Sequence, residues 1–247
     1  MSRKYWDITR TAIHGCSHVS AGCDNCWAAR MAWRLAHNPK MEGLYKGLVD
    51  AGRWTGVTRY NSGWDKGLPK VGKKILFNCM GDLFHEANPP GQIQAVLDTL
   101  KKWPQHTFIT PTKRPATALY HFQAFNRMAE NMVLLASVED QAAADERIPW
   151  MLQCRPFVRK IGLSIEPLLG KIDLWGARYK TEGGFCSAFA WGKGVSWVIV
   201  GAETGPGARP ADTTDVLKIY RECQAAKVPV YLKTGQDEIA GLDEVVI

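Results

Sequence analysis

Short apolar runs alternate with longer amphipathic stretches over most of this chain, and that alternation predicts parallel strands joined by helices. The runs at 75–80, 107–110, 133–137, 160–165, 197–200 and 228–232 are too short for helices and end in glycine, proline or polar turn residues. They read as buried strands. Helices are predicted between them, from Pro90 to near Trp103, from Pro115 to about Ala129, over 141–153 and over 213–226. Asp140 and Asp212 stand where N-caps belong. The expected fold class is α/β: a partial (β/α)6-type, TIM-like barrel or open sheet of parallel strands with crossover helices, in a single domain over 1–247. Two stretches interrupt the pattern and are expected to be insertions. The first, about 40–72, lacks periodicity and is rich in glycine; the second, about 176–195, carries Phe185, Phe189 and Trp191.

Ahead of the first predicted strand lies a loop with three thiols, Cys16, Cys23 and Cys26, among the turn-formers Gly15, Ser17, Ser20, Gly22, Asp24 and Asn25. It runs into a helix at 27–36, where Ala28, Met31, Ala32 and Leu35 fall at helical spacing before Asn38-Pro39 ends the run. Three soft ligands on one turn-prone segment point to a metal. A tetrahedral zinc site needs a fourth ligand, and His14 or His18 could supply it. An iron-sulfur cubane held by three thiolates leaves one iron open to a small molecule. The loop alone leaves both readings open.

The polar residues at the ends of the strands form the second candidate set. Asp82, Lys113 with Arg114, Glu139 with Asp140, Glu166 and Glu203 all sit at predicted carboxyl ends, where parallel α/β architectures place their ligands. Glu166 and Glu203 precede no obvious helix, which favours a functional role over capping. His85 is a weaker candidate base or ligand. No P-loop, dinucleotide fingerprint or G-x-S-x-G elbow is present.

Composition narrows the setting. The seven cysteines, an odd and scattered set, do not resemble a secreted disulfide framework, and no apolar stretch is long enough to span a bilayer. The amino terminus has no apolar signal-peptide core, so a cytoplasmic location without membrane contact is expected. The net charge of +7, from 31 basic and 24 acidic side chains, concentrates in the first insertion and its edge. There Lys40, Lys46, Arg53, Arg59, Lys66, Lys70, Lys73 and Lys74 are interleaved with Tyr45, Trp54, Tyr60 and Trp64. Such a mixture suits phosphates and exposed bases as well as it suits a solvated surface.

Taken together, the loop Cys16-x6-Cys23-x2-Cys26 and the segments 77–86, 112–115, 137–141, 164–170 and 197–205 resemble the radical S-adenosylmethionine superfamily. The closer likeness is to its phage-encoded branch with expanded cysteine spacing; the superfamily's commoner spacing is C-x3-C-x2-C. The resemblance implies a 4Fe-4S cluster on Cys16, Cys23 and Cys26, with S-adenosylmethionine chelating the fourth iron and yielding a 5'-deoxyadenosyl radical. It further implies that Gly81 and Asp82 meet the methionyl amine, Lys113 or Arg114 its carboxylate, and Ser137 and Glu139 the ribose. Glu166 and Glu203 are then left to hold substrate or cofactor, or to move a proton. Related phage enzymes remodel amino-acid groups on thymidine, so the implied substrate is DNA carrying modified thymidine and the implied reaction an isomerisation. An electron donor such as flavodoxin or ferredoxin is implied as partner. The alternatives are a radical lyase acting on damaged bases and a zinc-stabilised nucleic-acid-binding module without catalysis.

Overall fold

The structure, a computed structural model, describes residues 4–175, 179–181, 184–189 and 194–233. Its centre is an all-parallel sheet of seven strands, curled into a half-barrel, in which strand order follows chain order. The strands are β1 (Ile8–Arg10), β2 (Lys74–Phe77), β3 (Thr107–Thr112), β4 (Ala129–Ser137), β5 (Val158–Ile165), β6 (Val198–Val200) and β7 (Val230–Leu232). Helix α1 (Trp27–Ala36) packs on the 40–72 segment, and α2 (Pro90–Lys101), α3 (Pro115–Ala124), α4 (Gln141–Gln153) and α5 (Thr213–Ala226) pack on the sheet. Asp140 and Asp212 cap α4 and α5, their carboxylates accepting from Ala143 N and Thr214 N.

The period of two along each strand divides the core. Ile75 and Phe77 face the helices, with Phe108, Leu134, Ile161, Leu163, Val198 and Val200. Leu76 turns to the concave face with Ile109, Val133, Leu135 and Ile199. The amino-terminal segment crosses the open side of the half-barrel: β1 pairs with β2 at one edge, while Tyr5 reaches Trp197 and Tyr231, each 5.2 Å away between ring centroids, at the other. Two edge-to-face contacts of this kind are worth about 0.5–1.5 kcal/mol each beyond their buried area. Tyr5→Leu is therefore expected to lower unfolding stability by about 1–2 kcal/mol in urea titration with the sheet intact.

Three elements differ from the sequence-based expectation. β1 is a seventh strand that the periodicity does not mark, because three residues with a polar centre carry no apolar run. α3 stops at Ala124, short of residue 129, since Asn126 takes the left-handed conformation (φ 46°) and turns the chain into β4. The 40–72 insertion has structure of its own despite its lack of periodicity. It holds a one-turn helix, Glu42–Tyr45, and short antiparallel ladders, and it buries Tyr45, Leu48, Trp64 and Leu68. Trp64 lies 4.8 Å from Phe77 and 5.9 Å from Phe108 between ring centroids. Arg59, one of the basic residues in this stretch, is a clip that donates to the carbonyls of Gly43, Leu44 and Lys46. Lys40, Lys46, Arg53, Lys66 and Lys70 remain exposed.

In the second insertion Tyr179–Thr181 pairs with Gly184–Cys186, and Phe189 joins the helix-side core, so this part covers apolar surface. Trp191 lies outside the described residues. Among those described, no helix is long and apolar enough to cross a membrane.

Candidate active site

The cysteine loop is anchored at its start by the end of β2. Asn78, fully buried and left-handed (φ 60°), accepts from Ala12 N and Ile13 N through its side-chain oxygen. Its amide donates to Ile13 O and its backbone N–H to Arg10 O. Three residues on, Gly81 lies against Gly15 in a parallel bridge. A Cβ on Gly81 would stand 2.4 Å from Ile13 O and 2.7 Å from Gly15 O, both backbone atoms. Gly81→Ala must therefore push the loop off the sheet, at an expected cost of about 1–3 kcal/mol. Limited proteolysis within 16–26 is the check, with cleavage faster in the variant.

From this anchor the loop passes over the strand ends through a 3-10 turn, Ala21–Cys23, and enters α1 at Trp27. Cys16, Cys23 and Cys26 are free, half-buried thiols. All three line one cavity of about 410 Å³ at the carboxyl ends of the strands. Of the residues selected from the sequence, Gly81, Asp82, Lys113, Arg114, Ser137, Glu166 and Glu203 line it as well. Glu139 does not; it lies 1% exposed behind Lys113.

The lining acids and bases divide into committed and available groups. Asp82 is a hub: it accepts from Phe84 N, Thr112 Oγ1, Lys113 N and Arg114 Nη1. Arg114, also buried, spends its remaining N–H groups largely on Glu86, Ser17 and the Cys16 sulfur, the last at 3.6 Å. Burial, then the Asp82 charge, push the Cys16 thiol up to about 12 against the pull of Arg114. Lys113 Nζ donates to Ser20 Oγ in the cysteine loop and to Glu139 Oε2, which also takes Arg147 Nη1 at 2.9 Å. Burial alone would raise the Glu139 carboxyl, but Lys113, the Ser20 hydroxyl and Arg147 outweigh it and hold it below the ordinary range.

Glu203 fastens the β6 loop to the cysteine loop. Its carboxylate accepts from Asn25 Nδ2 at 2.8 Å and from Arg209 through N, Nε and Nη2. Arg209 continues to Ala21 O and Asp24, and Arg30 ties Asn25 O to Thr204 O and Pro206 O. The Arg209 hydrogen bonds hold the Glu203 carboxyl down at about 2. A depressed carboxyl stabilises the fold fully above its unfolded value and loses that contribution as pH falls through the folded one. The stability difference between the native protein and Glu203→Gln is thus expected to be flat above about pH 5 and to shrink between about pH 4.5 and 2. Acid unfolding of the two proteins measures it.

Both histidines beside Cys16 are engaged elsewhere. His14 is buried against the Tyr45 hydroxyl at 3.1 Å, and burial lowers its imidazole to about 4. His18 bonds Asp24 at 2.7 Å on the surface. Among the described residues, no three His, Cys, Asp or Glu side chains close on a point as ligands of one metal ion. His85, a weak candidate on sequence grounds, bonds Ser17 Oγ at 2.9 Å through Nε2 and accepts from Ala87 N at Nδ1.

Several lining residues escape sequence reasoning: Tyr5, Trp6, Ser17, Trp27, Cys79 and Lys233. Lys233 directly succeeds β7, so the strand-end rule that selects Glu166 would also find it. Tyr5 and Trp6 arrive from a segment with no periodicity and carry no signal.

Residues 2–241 match the model of the family described as "Protein of unknown function (DUF5131)", and the chain belongs to that family. No curated protein and no solved structure matches it significantly.

Proposed function

We propose that this DUF5131 protein is a radical S-adenosylmethionine enzyme that acts on modified nucleic acid. One observation carries the reading: three free thiols on a single loop line the same strand-end cavity of a parallel half-barrel. Among the described residues they do not stand as a ready-made set of ligands to one metal ion, so the reading rests on their sharing one loop and one cavity. Cys16, Cys23 and Cys26 would hold a 4Fe-4S cluster. With S-adenosylmethionine, that cluster supplies one-electron cleavage of the sulfonium and a 5'-deoxyadenosyl radical able to take hydrogen from an unactivated carbon.

The chain's own residues bind, position and shield. Asp82 and Arg114 are held by their neighbours and act by fixing Ser17 and the cysteine loop, and Glu139 holds Lys113 through Oε2. Gly81, Lys113 and Ser137 are left to meet the cofactor's polar ends, and Glu166 to meet substrate. Trp27 and Val19, both exposed at the cavity, limit water entry and offer flat or apolar contact. Exposed lysines and Arg53 of the 40–72 segment favour a polyanionic substrate, DNA carrying modified thymidine, and isomerisation of its appended amino-acid group is the favoured reaction. The cytoplasm, with flavodoxin or ferredoxin as electron donor, suits oxidisable thiols and this chemistry.

The test is mass spectrometry of nucleosides from phage DNA incubated anaerobically with protein, reductant and S-adenosylmethionine. A modified thymidine of unchanged mass and altered retention is expected. Loss of mass would favour the lyase, and no change in any nucleoside would remove the substrate assignment.

A further inference from the structure

The wall of the cavity at its β5–β7 end carries an ion pair. Glu166 follows β5, Lys233 follows β7, and the Lys233 ammonium lies against Glu166 Oε1 across the intervening strand β6. Gly201 leaves room for the meeting: a Cβ there would stand 3.0 Å from Lys233 Cδ and 3.2 Å from Glu166 Oε1. Ser164 Oγ donates to Glu166 Oε2 at 2.9 Å and fixes the carboxylate. Oε1 is buried yet accepts no well-directed hydrogen bond, while the Lys233 side chain stays 40% exposed. Both residues line the cavity, beside Tyr5 and Trp6.

We propose that this pair receives an α-amino-acid zwitterion, Glu166 Oε1 taking the ammonium and Lys233 Nζ the carboxylate. The pairing itself selects for both charges. A purely anionic ligand on Lys233 would strand the buried Glu166 oxygen, and a purely cationic one on Glu166 would leave Lys233, 40% exposed, to water and forgo its contact. A zwitterion replaces one ion pair by two charge-assisted contacts and strands neither. The inference rests on the cavity being the reaction chamber and narrows what enters it. Two ligands bring this chemistry: an amino acid appended to a nucleobase, which agrees with Glu166 meeting substrate, or the methionyl end of S-adenosylmethionine, which would move that end away from Gly81 and Lys113.

Calorimetric titration of the anaerobically purified chain separates them. One probe series is thymidine bearing glycine through nitrogen on the 5-methyl carbon, with its decarboxylated and N-acetylated counterparts. The other is S-adenosylmethionine with the same two counterparts. In one series the zwitterion is expected to bind about tenfold or more tighter than both counterparts. Lys233→Met should erase the preference over the decarboxylated probe without weakening that probe, and Glu166→Gln the preference over the N-acetylated one. The series that behaves so identifies the source. Equal binding within both series, or uniform weakening of every probe by each variant, overturns the proposal. Iron content of the same samples keeps the two readings apart: a zwitterion preference without iron sinks the cluster and leaves this site standing, and iron without the preference does the reverse.

Discussion

Cys23→Ala is expected to give a folded protein that takes up no stable cluster and no longer cleaves S-adenosylmethionine. Cys23 sits at the end of the 3-10 turn, half-buried, with a free thiol on the cavity. Removing one sulfur there costs on the order of 1 kcal/mol of stability or less. Its effect on a group held by three thiolates is of another size, because the remaining two cannot retain it. Iron analysis after anaerobic reconstitution should fall from about four per chain to near zero, and formation of 5'-deoxyadenosine should fall below detection. Cys79→Ala is the matched control. Cys79 lines the same cavity, but from the end of β2 and not from the loop, and burial pushes its thiol up to about 11. That variant should keep its iron. Full iron and full turnover in Cys23→Ala would remove the assignment of the loop.

The second large effect is on stability. Asp82→Ala is expected to cost about 3–5 kcal/mol, the range for removing one member of a buried ion pair. The Arg114 and Asp82 side chains are 4% and 6% exposed, so the substitution strands a guanidinium in the protein interior. It also leaves Thr112 Oγ1, Phe84 N and Lys113 N without their acceptor. Arg114 would then lean further on Glu86, which is 61% exposed and a poorer counter-charge. Urea unfolding measures the loss. A change below about 1 kcal/mol would mean that the hub is dispensable.

The sheet and much of the site are legible in the sequence for a common reason. Strands buried on both faces must be apolar throughout, so six of them stand out as short runs, and the residues just past the end of each run lie at the mouth. That rule places Asp82, Lys113, Glu166 and Glu203 on the cavity, and turn chemistry places the three cysteines there. β1 goes unmarked because Thr9 and Arg10 break its apolar signal. The rule also cannot tell a free group from a committed one. Glu203 is claimed by Asn25, and Asp82 by Thr112, and these partners are remote in sequence and meet only in the fold. Glu139 departs from the rule for the same reason: Arg147, in the second turn of α4, draws it under Lys113 and away from the cavity.

Electron paramagnetic resonance of the anaerobically reduced protein, recorded with and without S-adenosylmethionine, tests the central claim most directly. The account predicts the signal of a reduced 4Fe-4S cluster, at about four irons per chain, whose shape changes when the sulfonium compound is added. A silent, colourless protein holding one zinc, or a cluster signal indifferent to S-adenosylmethionine, would contradict it.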